Sequence, residues 1–235
     1  NLCKKDKLVN KSFNKGKHIK EIQNRTKIRL GIISAFFYSH SVAKCYLNLI
    51  KDFANSDIEV IIFRTINSKV DSITKLIESI VSETIVLPES LELSCQIILE
   101  KSIDILFYLD IGMNIQTYLM SLSRLALVQV VGAGHPNTSG SPNLDYFISS
   151  KYLETKDSDQ FYSERLIRLS RIPVNYEIPK IKQSTFNRSS INLSKEDFLI
   201  GLPHTLFKYH PDFDDVLDKI LKEIPKAKLF VFANE

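Results

Sequence analysis

Residues 103–113 read Ile103-Asp104-Ile105-Leu106-Phe107-Tyr108-Leu109-Asp110-Ile111-Gly112-Met113. Residues 103–109 form a short run that is apolar except for Asp104, closed by Asp110 and Gly112. A run of this length, apolar on both faces and ended by turn formers, is the pattern of a central strand in a parallel sheet, where helices cover both sides. Ile28-Arg29-Leu30-Gly31-Ile32-Ile33-Ser34 has the same character.

Working outward, strand-like and helix-like periods alternate. After 28–34, Val42, Tyr46, Leu49, Ile50 and Phe53 fall on one helical face. A β-branched strand is expected over 58–63, a helix over 68–81, a brief strand over 84–87 and a helix over 90–101. Beyond the central run, a helix from about Asn114 would turn Ile115, Leu119 and Leu122 inward, and a strand follows over 127–131. Further strands fit 146–149 and 166–169. The polar stretch from Lys180 to Ser194 has no clear period and reads as a domain boundary. After it come a strand over 198–202, a helix over 212–222 with Phe213, Val216, Leu217, Ile220 and Leu221 on one side, and a strand over 228–232. Such alternation predicts right-handed βαβ units and a parallel α/β sheet. Three segments follow: a basic linker over 1–27, a Rossmann-like half over 28–192, and the beginning of a second such domain over 193–235.

The chain has 235 residues, 44% of them hydrophobic and 25% charged, the composition of a globular protein. No apolar run approaches the roughly 18 to 20 residues of a membrane span. Nothing resembles a secretory leader, and Cys3, Cys45 and Cys95 are too far apart for metal-ligand spacing, so they read as free thiols in a reducing, cytoplasmic setting. The net charge of +4 is uneven: residues 1–27 hold nine Lys or Arg against two acids, and the remainder holds 22 against 25. The basic segment reads as a solvated linker. No aromatic interleaving supports nucleic-acid binding, since Phe13 stands alone. With no initiator Met and an apolar strand at its end, the chain reads as an internal fragment.

In open α/β sheets, ligands bind beyond the carboxyl ends of the strands. Four stretches fall there. Tyr38-Ser39-His40-Ser41 precedes a helix, where His40 suits either acid–base work or simple capping. Asp110 and Gly112 end the central strand, as a hydrogen-bonding carboxylate with a close-approach glycine, or as a plain turn. Residues 132–142 hold three of the seven glycines together with His135, Pro136, Thr138 and Gly140. Their amides and hydroxyls suit phosphate or sugar oxygens, although they match neither the dinucleotide nor the P-loop fingerprint. In the last segment, Lys208 follows Thr205 in a strand–helix loop and is placed to meet a phosphate. There is no nucleophile elbow and no zinc spacing among the five His.

In this order, these stretches resemble the catalytic region of the O-linked N-acetylglucosamine transferase and SPINDLY family, bacterial members above all. The resemblance is carried by Gly134-His135-Pro136-Asn137-Thr138-Ser139-Gly140-Ser141-Pro142-Asn143-Leu144-Asp145-Tyr146, by Tyr162-Ser163-Glu164-Arg165-Leu166, by Asp110-Ile111-Gly112-Met113 and by Leu206-Phe207-Lys208. It implies a GT-B fold and inverting, metal-independent transfer of a sugar, GlcNAc first, from a nucleotide sugar such as UDP-GlcNAc to Ser or Thr of an acceptor protein. No cofactor is implied, and tetratricopeptide repeats usually stand upstream. Position by position, it implies a catalytic role for His40, a sugar- and acceptor-side loop containing Asp110, Gly112, His135, Pro136, Thr138 and Gly140, and a diphosphate site at Thr205 and Lys208. Asp104 stands where animal enzymes have a second histidine, and Ala133 where bacterial relatives often have Trp. Relatives with fucosyl or glucosyl donors, or a non-catalytic binding module, are the alternatives. The 235 residues alone are expected not to turn over.

Overall fold

The structure, a computed structural model, describes residues 14–132, 134–178 and 187–231. Residues 1–13 of the basic segment, Ala133 and the start of the polar stretch at Lys180 lie outside the described residues. The chain divides into two compact units, Asn1–Ile178 and Pro179–Glu235.

In the first unit, seven strands form one sheet: β1 (Ile28–Ser34), β2 (Ile58–Thr65), β3 (Glu83–Leu87), β4 (Ile105–Tyr108), β5 (Val128–Val131), β6 (Tyr146–Ser150) and β7 (Arg165–Leu169). Their order is β3-β2-β1-β4-β5-β6-β7, and every neighbouring pair is parallel. The central β1–β4 pair runs in register from Leu30 opposite Ile105 to Ile33 opposite Tyr108. The chain winds outward from β1 through β2 to β3, returns to the other side of β1, and then winds the opposite way. The switch point of the sheet therefore lies between β1 and β4, and their carboxyl ends open side by side.

Each face has its own core. Helices α2 (Ser41–Ala54) and α3 (Ser72–Ile80) lie on one side, where Val42, Tyr46 and Ile50 meet Leu30, Ile32, Ile62 and Phe107. Helices α4 (Leu91–Glu100) and α5 (Ile115–Ser121) lie on the other, with Ile98 and Met120 against Ile33, Phe63, Leu106 and Tyr108. Fully burying one such Ile or Phe contributes about 1.5–3 kcal/mol. Where α2 ends, the first face continues as an open apolar groove of about 820 Å³ over Ile105, Phe107, Val130, Ile148 and Leu169, edged by Val174.

Two local readings change. The buried face of α5 is Thr117, Met120 and Ser121, whereas Ile115 is 70% exposed. Thr117 and Ser121 give their hydroxyls to the carbonyls of Asn114 and Tyr118, three residues back, so both can face the core with their polarity already satisfied. Counting apolar residues alone misplaces that face. The described part of the basic segment is also more than solvated chain. Lys15–Gln23 form α1, His18 is buried, and Arg25 donates to Asp104 at 2.8 Å. Asp104 also accepts the Arg29 amide at 2.8 Å. It thus sits at the amino end of β4 and ties α1 to the sheet at the edge opposite the carboxyl ends.

The second unit contains β8 (Phe198–Leu202), a 3-10 turn at Leu206–Lys208, α6 (Phe213–Glu223) and β9 (Ala227–Val231), with β8 and β9 parallel. This is one βαβ element. No residue of α6 is buried, and Val216 from its expected inner stripe is 45% exposed. Two strands and one helix enclose too little surface to form a core.

Candidate active site at the carboxyl edge of the sheet

The loop after β1 is fixed from three directions. Asp110, fully buried just beyond β4, accepts the Ala35 amide at 2.7 Å and the Ser34 hydroxyl at 3.1 Å, both on Oδ2. Ser68 donates to the Ala35 carbonyl, and Asp71 accepts the Ser39 amide at 2.7 Å. Asp71 is also the N-cap of α3 in a reciprocal capping box with Thr74. The site loop and the start of α3 are therefore one hydrogen-bonded piece.

His40 is the N-cap of α2, and its Nδ1 accepts the Val42 amide at 3.2 Å. Its ring stacks on Phe36 at 4.4 Å. Burial, and then the charge of Lys44, hold its pKa below the ordinary histidine value. With Nδ1 accepting, the ring carries its proton on Nε2. On its far side His40 thus presents a hydrogen-bond donor. Replacing it with Ala removes the cap and is expected to cost about 1 kcal/mol in urea unfolding at pH 7.

The loop after β5 closes against β4. Gly132 donates to the Tyr108 carbonyl at 3.1 Å. A Cβ placed on Gly132 would stand 2.4 Å from the Tyr46 hydroxyl, and one on Gly134 would stand 2.1 Å from the Leu109 carbonyl oxygen. These two glycines are thus required by close approach. Gly112, at φ +89°, turns beneath the His135 ring, whose Cγ lies 3.2 Å from where a Gly112 side chain would begin. His40, Asp110, Gly112 and His135 consequently come from three loops that gather at one edge. Pro136 and Thr138 lie a step further out, lining a cavity of about 270 Å³ with Glu154, Phe161 and Tyr162. Gly140 takes φ +66° with nothing near its missing side chain.

Spacing gives no role to Glu164, although it stands in the quoted Tyr162-Ser163-Glu164 segment. Its buried carboxylate accepts the Thr138 hydroxyl at 2.7 Å, the Ser139 amide at 2.9 Å, the Ser139 hydroxyl and the Ser163 hydroxyl at 3.1 Å. Thr138 is therefore engaged in holding the loop's shape. Burial pushes the Glu164 pKa up, but the bonds from Ser139 and Thr138 outweigh it and leave the carboxyl below the usual glutamate range. The available signal was chemical: three hydroxyls in two adjacent loops need an acceptor. Asp145 works similarly beside it, taking a two-pronged bond from Arg124 at 2.5 and 2.9 Å and the Gln129 amide at 2.7 Å.

Thr205 and Lys208 belong to the second unit. They bracket the 3-10 turn after β8, with the Lys208 amide on the Thr205 carbonyl at 2.9 Å. Lys208 is exposed, and the Thr205 hydroxyl oxygen is buried without a hydrogen-bond partner among the described residues.

An open parallel sheet with polar loops gathered at its switch point is the architecture of a nucleotide-binding-type α/β domain, here of GT-B-like form. Comparison with known proteins agrees. A mutant O-GlcNAc transferase of Thermobaculum terrenum superposes with a TM-score of 0.70 at 23% identity, over 87% of this chain and 38% of that one. The chain is 31% identical over 130 residues to the UDP-glucose:protein N-beta-glucosyltransferase of Actinobacillus pleuropneumoniae serotype 5b (strain L20), covering 54% of this chain and 20% of the relative. It is 27% identical over 115 residues to the Arabidopsis thaliana protein named "Probable UDP-N-acetylglucosamine--peptide N-acetylglucosaminyltransferase SEC", covering 45% and 12%. No protein-family model matches. The chain thus spans a fifth or less of these curated relatives, and over that region it is similar to proteins named as protein or peptide glycosyltransferases.

Proposed function

We propose that this chain is part of a protein glycosyltransferase that moves a sugar, GlcNAc first, from a UDP-sugar to a Ser or Thr hydroxyl, with inversion and without a metal ion. In the reaction, the acceptor oxygen attacks the anomeric carbon, the bond from that carbon to the diphosphate oxygen breaks, and UDP leaves with the electron pair. The proton of the attacking hydroxyl passes to the departing diphosphate. The main electrostatic demand is the charge that develops on the diphosphate. Lys208 answers it as a point charge beside Thr205. His40 donates Nε2–H to an anionic or sugar oxygen, and the turn around Gly112 with the His135–Gly140 loop holds the sugar and acceptor side.

One observation carries this reading. Loops from β1, β4 and β5 converge at the switch point of a sheet whose sequence relatives are named protein glycosyltransferases. UDP is common to both relatives' names, while the sugar differs between them, so the donor needs a direct test. The full-length protein would be given UDP-GlcNAc, UDP-glucose or GDP-fucose with an acceptor protein, and read by nucleoside diphosphate release and by the mass and site of the added sugar. The expected result is UDP release from UDP-GlcNAc with N-acetylhexosamine on Ser or Thr, reduced at least about tenfold by Lys208→Ala. Hexose on Asn would instead assign a glucosyl donor. No release and no added sugar with any donor would overturn the enzymatic reading and leave a binding module.

A further inference from the structure

Asp110 is unusual among the groups at the switch point. It is wholly buried, yet it is a carboxylic acid with no hydrogen-bonded or ion-paired cation among the described residues. Oδ2 receives two donors, the Ala35 amide and the Ser34 hydroxyl, both from the first residues beyond or at the end of β1. Among the described residues, the buried Oδ1 has no hydrogen-bond partner. The neighbouring Thr117 hydroxyl is directed to the Asn114 carbonyl at 3.1 Å. An oxygen left so costs stability, on the order of 1–3 kcal/mol in comparable sites. Burial pushes the Asp110 pKa up to about 6, against the hydrogen bonds from Ala35 and Ser34, which lower it. A Ser or an Asn would satisfy a turn at less cost.

The position explains the expense. The Ser34 hydroxyl that donates to Asp110 also accepts the Phe36 amide at 3.0 Å. Phe36 in turn is the ring on which His40 stacks. On its other side, Asp110 leads directly into the Gly112 turn beneath His135. A chain of contacts therefore runs from the His40 ring, stacked on Phe36, through the Phe36 amide and the Ser34 hydroxyl to Asp110, and on through the backbone to the Gly112 turn beneath His135.

We infer that Asp110 is a positioning residue, whose carboxylate locks the loop that presents His40 against the turn that supports His135. It touches neither sugar nor diphosphate, and it acts on turnover through the placement of His40. This rests on the reading of His40 as a group of the transfer site, and the test separates the two.

In the full-length protein, turnover of the UDP-sugar identified above would be measured for His40→Ala, Asp110→Ala, Asp110→Asn and the combination of His40→Ala with Asp110→Ala. Asp110→Ala is expected to lower kcat about tenfold while KM for the UDP-sugar moves less than about threefold, because orientation is lost and ground-state binding is not. Asp110→Asn keeps an acceptor for Ala35 and Ser34 and is expected to recover most of that loss. In the His40→Ala background, adding Asp110→Ala is expected to lower kcat by no more than about twofold, the non-additivity of residues that act as a unit. Equal losses from Asp110→Ala with and without His40, or equal losses from Ala and Asn, would overturn the inference. A His40→Ala protein with unaltered kcat would instead remove the reading of His40. If Asp110→Ala does not fold, Ser34→Ala interrupts the same path with a smaller perturbation, and its loss must likewise vanish in the His40→Ala background.

Discussion

Gly134→Ala is expected to destabilise the first unit by about 3 kcal/mol, read from the urea midpoint at constant slope. The added methyl would stand 2.1 Å from the Leu109 carbonyl oxygen, and the obstacle is backbone, which cannot swing aside as a side-chain tip can. Either β4 and the loop after β5 part, or the methyl is not accommodated. Parting them also lifts His135 off Gly112, so turnover should fall by more than the loss of folded protein accounts for. Gly140→Ala is the control. Nothing lies within 4 Å of its missing side chain, but φ is +66°. Only the left-handed backbone is penalised there, at about 1–2 kcal/mol. Equal costs at the two glycines would show that the loop does not approach β4 closely.

Glu164→Ala should be comparably damaging. It strands the Ser139 amide and three hydroxyls that now share one carboxylate, and a hydrogen bond to a charged acceptor contributes about 1.5–3 kcal/mol. Water can replace some of these bonds in the half-open loop, so a net loss of about 3 kcal/mol is expected. Glu164→Gln keeps an acceptor and should lose less. The pH dependence has a definite sign. The folded pKa of Glu164 lies below the ordinary 4.5, so its stabilisation is complete above pH 4.5 and is lost as pH falls through the folded value. The acid limb of a stability–pH curve should therefore flatten in the Ala variant. An unchanged limb would mean that the carboxylate does not hold the loop.

The strands were legible because a sheet buried on both faces writes itself as short apolar runs. The strands expected over 28–34 and 198–202 coincide with the elements found, the other strand ends coincide or shift by a residue or two, and the helix expected from 68 begins at Ser72. Legibility failed where polar groups satisfy themselves. Thr117 and Ser121 face the core because each returns its hydroxyl to its own helix, and no hydrophobicity count registers that. Among the site residues, His40 and Gly112 are conspicuous in sequence because a cap and a tight turn demand particular residue types. Glu164 is not, because its importance lies in partners 25 and 26 residues away. The same distance hides the bond of Asp110 to Ala35. Asp104 interrupts the central run but lies at its amino end, where Arg25 and the Arg29 amide engage it.

The pairing of β1 with β4 also sets a timetable. Strands β1, β2 and β3 can zip together as soon as the chain extends to Leu87, because each crossover is short. Leu30 meets Ile105 only after a loop of some 75 residues has closed, and entropy makes that the slow event. The pocket-forming edge therefore has no partial version. A nascent or half-melted chain can own most of its secondary structure and still lack any place for a ligand, so occupancy of that edge reports completed folding.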